Sequence, residues 1–170
     1  MTVRDQTRAS TQAPLAYSVA RISTLVALSV VGSFIHLPSP IGTVAFDSWP
    51  GFFAALYFGP FDGAIVTGLG HVATSIVNGF PLGILHLPIA LGLAFAGWAI
   101  GAVNRIRRVW SPIAALAIGI AINTGLAVVA IPVIGLPATV AFIPFLFVAA
   151  CVNASLAGFT YYALRRKLPF

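Results

Sequence analysis

The chain has 170 residues, of which 59% are hydrophobic and only 7% are charged. A water-soluble domain of this length carries about a quarter charged residues, so the composition excludes an ordinary soluble protein and indicates an integral membrane protein. The single cysteine, Cys151, excludes an internal disulfide and a cysteine metal cluster.

The formal net charge of +6 comes from nine Lys and Arg residues that lie in three groups. The groups precede the first apolar stretch, separate two later stretches and close the chain: Arg4, Arg8 and Arg21; Arg105, Arg107 and Arg108; Arg165, Arg166 and Lys167. Basic clusters at the ends of apolar stretches are typical of cytoplasmic segments of membrane proteins. The charge therefore indicates topology and predicts no nucleic-acid partner.

Apolar stretches separated by proline- and glycine-rich segments predict an all-α bundle of about six transmembrane helices. In chain order they cover residues 19–36, 46 or 50 to 58, 64–78, 84–103, 112–134 and 140–164. The segments HLPSP, GPFDG, NGFPLG and GLPAT separate them, because proline and clustered glycine end helices. The second stretch is short for a span, which needs about 20 residues.

If the basic groups are cytoplasmic, an even number of crossings must lie between them. The six predicted spans meet this condition and place both termini in the cytoplasm. Residues 1–18 then form a polar cytoplasmic leader, residues 19–164 a six-helix transmembrane domain, and residues 165–170 a basic cytoplasmic tail. Three loops, HLPSPIGTVAFDSWP, NGFPLG and GLPAT, are predicted on the outer side. GPFDG and the arginine loop are predicted on the inner side.

Polar residues of the third predicted span recur at spacings of three and four: Thr67, His71, Thr74, Ser75 and Asn78. This spacing places them along one stripe of a helix. Two interpretations stand. In the first, the stripe binds a polar ligand, for which a neutral imidazole is well suited because it both donates and accepts hydrogen bonds. In the second, the hydroxyl groups and small neighbouring residues only pack helices together.

The remaining polar candidates lie at predicted span ends or inside later spans. His36 and His86 are predicted near the outer surface, but the histidine spacing predicts no metal site. Asn123 is the better ligand candidate of two intramembrane asparagines, since Asn153 is predicted nearer the cytoplasm as a packing residue. Asp47, the only acid predicted on the outer side, is either the N-cap of the second helix or a ligand contact, with equal weight.

Catalytic motifs are absent from the sequence. It holds no paired carboxylates, no G-x-S-x-G nucleophile elbow and no GxxxxGK[ST] phosphate loop. The chain is therefore predicted to be no enzyme and to bind no cofactor of its own, and active pumping would need ATP used by another polypeptide.

Residues 39–83, SPIGTVAFDSWPGFFAALYFGPFDGAIVTGLGHVATSIVNGFPLG, and residues 85–91, LHLPIAL, carry a family resemblance. They resemble the substrate-binding S components of energy-coupling factor (ECF) transporters, in the subgroup associated with cobalamin or its precursor alpha-ribazole. Ile41 and Phe46 depart from that subgroup's pattern. The resemblance covers nearly the whole chain after the leader.

The resemblance implies a multi-pass protein of a prokaryotic plasma membrane that binds its vitamin from outside and joins a transmembrane coupling subunit and two ATPase subunits. The predicted substrate-binding residues are Phe34, His36, Thr43, Asp47, Trp49, His71, Ser75, Asn78, His86 and Asn123. The resemblance also implies a small-residue coupling surface on the first helix, matched here by Ser23-x-x-x-Ala27 and Ser29-x-x-x-Ser33.

Two alternatives stand beside this hypothesis. The first is an S component for another vitamin, or for cobalt or nickel. The metal is less favoured, because the S components that bind these metals use a histidine near the amino terminus and residues 2–10 contain no histidine. The second is a membrane structural or assembly protein whose polar stripe only packs helices.

Overall fold

The computed structural model describes the backbone of residues 3–35 and 45–165, and the side chains of that set from Leu15 onward. The described chain is all-helical. Its α-helices are α1 (Val3–Ser33), α2 (Trp49–Tyr57), α3 (Pro60–Val77), α4 (His86–Asn104), α5 (Ser111–Gly125) and α6 (Ile131–Leu164). Short 3₁₀ turns, Gly83–Leu85 and Leu126–Ala130, lead into α4 and α6.

The directions of the first helices follow from which residues meet. Arg21 pairs with Asp62, and eight positions further along both helices Ser29 lies against Gly70, so α1 and α3 run parallel. α2 runs opposite to α3, because Gly51 at its start meets Thr67 whereas its later residue Ala55 meets Gly63.

The later helices alternate in the same way. α4 runs antiparallel to α3, because Gly68 lies against Ala94 whereas the earlier residue Gly63 lies against the later residue Gly97. α5 runs antiparallel to α4. Leu126, just after α5, contacts Gly92 near the start of α4, whereas Gly119 within α5 contacts Ile100 near the end of α4.

The 54-residue helical stretch Ser111–Leu164 is bent back on itself. At about 80 Å of contour it is far longer than a bilayer core of about 30 Å. The backbone leaves helical geometry at Gly135, where φ is 77° and ψ is 162°. Leu116 of α5 contacts Gly158 of α6, and Ala127 packs with Phe142, so the two arms are antiparallel. The reversal falls in the GLPAT segment, as the sequence predicts.

The second predicted span is shorter than expected. α2 has nine residues and is about 14 Å long, too short to cross a bilayer core of about 30 Å. All residues from Pro50 to Leu56 are buried, and Phe52 lies at the centre of the largest core cluster. α2 is therefore a buried internal helix that by itself does not reach across a bilayer core. Three described stretches are long and apolar enough to span: Leu15–Ser33, Gly83–Asn104 and Ser111–Leu164.

The helix that contains the first predicted span begins within the residues predicted as the leader. α1 starts at Val3 and continues without interruption to Ser33. The cytoplasmic location of residues 1–18 remains a prediction.

Small residues let α2, α3 and α4 approach closely around Gly63. A Cβ at this position would stand 2.7 Å from Ala55 Cα and 2.8 Å from the Gly97 carbonyl oxygen. Both neighbours are backbone atoms that cannot turn aside. This contact brings the residues before α2 against α3, where the candidate site lies.

Gly63→Ala should therefore destabilise the protein by about 1–3 kcal/mol, the usual cost of overpacking. Thermal unfolding of the purified protein in detergent measures the effect. Gly125→Ala is the matched control, because nothing lies within 4 Å of a methyl group added there. Equal melting temperatures for the two variants would contradict close packing at Gly63.

Candidate functional site

A cleft opens where the segment before α2 meets α3, α4, α5 and α6. It contains about 640 Å³ of empty space, including its open mouth. Its apolar wall is formed by Ile89, Leu93, Leu126, Phe142 and Leu146, and its polar groups come from Asp47, Ser48, His71, His86, Asn123 and Asn153. An apolar cleft with a few converging polar groups is the usual form of a small-molecule site.

The Asp47 carboxylate is held against α3. Its Oδ2 accepts a hydrogen bond from the Thr74 hydroxyl at 2.9 Å, and its Oδ1 accepts one from the Ser48 hydroxyl at 3.1 Å. His71 Nδ1 lies 3.9 Å from Oδ2, too far for a direct hydrogen bond. Thr74 Oγ1 is also 2.9 Å from the His71 carbonyl oxygen, so this hydroxyl has a second acceptor within reach.

Asn153, not Asp47, caps the start of α2. Asn153 Oδ1 accepts hydrogen bonds from the backbone N–H groups of Ser48 at 3.1 Å and Trp49 at 2.9 Å. Its Nδ2 donates to the carbonyl oxygens of Ala45 at 3.3 Å and Ala149 at 3.0 Å. Of the two roles predicted for Asp47, the capping role thus belongs to a residue of α6.

Asn153 is predicted as a packing residue nearer the cytoplasm than Asn123. The structure buries it, with 1% exposed, as a packing residue would be, and places it in the lining of the same cleft as Asn123. Three of its four hydrogen-bond partners, Ala45, Ser48 and Trp49, lie more than 100 positions away in the chain, which local patterns do not reveal. The one sign of this role in the sequence is an amide side chain inside an apolar stretch, because a buried polar group needs hydrogen-bond partners.

A hydrogen-bonded histidine pair fixes the donors and acceptors of the cleft. His86 Nε2 accepts the Leu82 N–H at 3.3 Å, so the neutral ring carries its proton on Nδ1. That Nδ1 lies 3.1 Å from His71 Nε2 and 2.9 Å from Ser75 Oγ. The Ser75 hydroxyl donates to the His71 carbonyl oxygen at 2.7 Å, which leaves its lone pairs to accept from His86.

The same network sets the tautomer of His71. Because the proton between the two rings belongs to His86, His71 Nε2 is an acceptor, and a neutral His71 carries its proton on Nδ1. That N–H faces the Asp47 side of the cleft. The site therefore presents a carboxylate acceptor and an imidazole donor next to each other, with the Asn123 amide on the same lining.

The structure brings four of the predicted site residues into the cleft lining: Asp47, His71, His86 and Asn123. Ser75 is buried behind them as a partner of His86. His36 and Thr43 lie outside the described residues.

Three other predicted site residues do not line the cleft. Phe34 is 63% exposed at the end of α1. The Trp49 side chain packs against the core cluster. Asn78 is exposed and donates to the Thr74 carbonyl oxygen of its own helix at 2.8 Å. Among the described residues, no group of three His, Cys, Asp or Glu side chains is placed to hold a metal ion.

Comparison with known families places the chain among transport proteins. The profile described as ECF transporter, substrate-specific component, matches residues 18–165. The chain belongs to this family. It is therefore a transport subunit and not an enzyme, a multi-pass protein of a prokaryotic plasma membrane. No curated protein matches the chain.

An S component binds a small substrate and pairs with a coupling module made of a transmembrane subunit and ATPase subunits. The two small-residue pairs predicted for that contact differ in burial. Ser23 and Ala27 are exposed on α1, whereas Ser29 and Ser33 are buried. Ser29 lies against Gly70, so this residue of the second pair packs α1 on α3.

Replacement of Asn153 tests the cap on α2. Asn153→Leu keeps similar side-chain volume but leaves the N–H groups of Ser48 and Trp49 without an acceptor, at about 1–3 kcal/mol for each buried group. We expect a clear fall in the melting temperature. Thr160→Val on the same helix is the control, since its exposed hydroxyl bonds only to Leu156 of its own helix. A similar fall in both variants would contradict a special role for Asn153.

Proposed function

We propose that this S component binds a cobalamin-related compound, alpha-ribazole or cobalamin, from the outer side in the cleft beside Asp47. The coupling module then uses ATP to deliver it inward. The observation that carries the proposal is that the Asp47 carboxylate and His71 Nδ1 lie 3.9 Å apart at the edge of an apolar wall.

The cleft chemistry matches the parts of a nucleoside. A ribose offers hydroxyl groups that donate to a carboxylate and accept from an imidazole N–H, and a benzimidazole ring offers apolar faces. Leu93, Leu126 and Phe142 supply the apolar wall. The Asn123 amide adds one further donor and acceptor.

Ligand binding at Asp47 would leave its protein partner satisfied. The Thr74 hydroxyl, which donates to Asp47 Oδ2, has the His71 carbonyl oxygen at the same distance of 2.9 Å. A ligand hydroxyl that replaces Thr74 on the carboxylate therefore leaves no buried donor unpaired. Such an exchange keeps the cost of ligand entry low.

The size of the cleft favours alpha-ribazole of the two compounds. Without its open mouth the cleft holds only about 80 Å³, less than the about 300–1,000 Å³ of most small-molecule sites, so either ligand would have to widen it. A nucleoside requires less widening than an intact corrinoid, which is several times larger. Cobalamin is accordingly the second candidate ligand.

The proposed orientation places Asp47 on the outer side and the arginine-rich end of the bundle in the cytoplasm. The alternating directions of the helices and the three basic groups support six membrane passages with both termini inside. α2 and α3 would together make the second and third passages, with the described residues 45–48 lengthening the buried α2. Ser23 and Ala27, the exposed pair on α1, are the proposed contact with the coupling subunit.

Purified protein should bind alpha-ribazole with micromolar or better affinity, and Asp47→Asn should weaken binding at least tenfold. A hydrogen bond to a charged group contributes about 1.5–3 kcal/mol, and the amide keeps the shape of the side chain but not its charge. Isothermal titration calorimetry measures both affinities. Because Asn153 caps α2, the variant is expected to keep the fold.

Asp62→Asn is the matched control, since it removes the same charge at the Arg21 pair and should leave ligand affinity unchanged. Tight binding of another vitamin, or of cobalt or nickel ions, in place of alpha-ribazole and cobalamin would overturn the ligand assignment. If Asp47→Asn altered stability but neither ligand binding nor uptake, the polar stripe would serve packing alone.

The tautomer of His71 gives a separate prediction. Asparagine places a donor N–H near the position of the histidine Nδ1, so His71→Asn should keep more affinity for alpha-ribazole than His71→Leu. One neutral hydrogen bond is worth about 0.5–1.5 kcal/mol, so we expect up to about a tenfold difference between the variants. Equal affinities, measured in the same titrations, would show that the His71 N–H does not contact the ligand.

A further inference from the structure

A second cleft lies at the opposite end of the bundle. His86 begins α4 at the first cleft, and Arg105 follows the end of α4 at the second, so the two are separated by about 28 Å of helix. The second cleft contains about 1330 Å³ of empty space, including its open mouth. Four arginines are among its lining residues: Arg105, Arg107, Arg108 and Arg165.

These four positive charges have no carboxylate partner among the described side chains. The chain has three acids in all. Asp47 lies in the first cleft, and Asp62 pairs with Arg21 at 2.6 Å. The side chain of the third, Asp5, is outside the described set. Four like charges around one cleft repel each other, and a bound anion relieves that repulsion.

The arginines are held around the cleft by local contacts. The Arg105 guanidinium lies beside Gly59, 3.1 Å from where a Cβ of that glycine would stand. The Arg165 guanidinium lies 4.3 Å from the ring centre of Tyr162, a cation–π contact. The backbone N–H of Arg108 donates to the Ser111 hydroxyl at 2.8 Å, which fixes the loop between α4 and α5.

The cleft is apolar as well as basic. Leu56, Phe58 and Pro112 contribute to its walls, and Val109 beside the arginines is 96% exposed, so its side chain has almost no protein cover. A free phosphate would use only the guanidinium groups. An amphiphile with a phosphate and an acyl chain would use both surfaces.

We infer that this cleft binds the phosphate headgroup of an anionic phospholipid, with Arg105 and Arg108 as principal contacts. Guanidinium groups bind phosphate oxygens bidentately, and basic pockets between helices at the cytoplasmic side recognise anionic headgroups. The general preference for cytoplasmic arginine explains why these residues lie at one end of the bundle. It does not explain why four of them surround one cleft.

Native mass spectrometry of the purified full chain tests the inference, with dioleoyl phosphatidylglycerol and dioleoyl phosphatidylcholine as matched probes. We expect selective retention of phosphatidylglycerol by the unaltered protein. The double variant Arg105→Gln, Arg108→Gln should lose about fivefold in affinity for each arginine removed. The control Arg4→Gln, Arg8→Gln removes the same charge from the amino end and should keep the selectivity.

Several outcomes would overturn the inference. Equal retention of the two lipids by the unaltered protein would do so without any variant, even if the double variant failed to fold. Equal loss in both double variants would show a general charge effect. Displacement of phosphatidylglycerol by millimolar inorganic phosphate would identify a free anion as the ligand. A double variant that kept its lipid selectivity but no longer bound the coupling subunit would assign the cleft to a protein partner.

Discussion

The bonds between Asn153 and the start of α2 are the constraint on which the site depends. A bilayer core offers no water to exposed backbone groups, so the first N–H groups of an internal helix need acceptors within the protein. Ser48 contributes no side-chain cap, and the α6 amide satisfies both Ser48 and Trp49. Because α6 provides this cap, the Asp47 carboxylate is left facing the cleft.

Close packing of small residues makes a buried α2 possible. Glycine and alanine at Gly63, Gly97 and Ala55 bring three helix backbones together without side chains between them. In lipid, where helix association gains little from the hydrophobic effect, such contacts provide much of the attraction. As a result, the polar stripe of α3 lies directly beside the segment that carries Asp47.

The few charged groups are divided between the two ends of the bundle. At one end the Asp47 carboxylate lies 3.9 Å from His71 Nδ1 in the lining of the first cleft. At the other end Arg21 and Asp62 tie α1 to α3, and further arginines surround a cleft without a described carboxylate. The partly buried charges of Asp47, Arg21 and Asp62 would be costly without the partners that they have.

The sequence by itself determined the membrane class, the breaks between helices and the polar stripe of α3, because composition, proline and glycine positions, and helical spacing are local properties. It also pointed to Asp47, His71, His86 and Asn123, since polar residues are conspicuous in an apolar chain. Only the tertiary structure decided that α2 is internal, that Asn153 caps it, and that Ser29 and Ser33 face inward. Those facts rest on contacts between residues far apart in the chain, and the partner of a buried amide or a small-residue face cannot be read from local sequence.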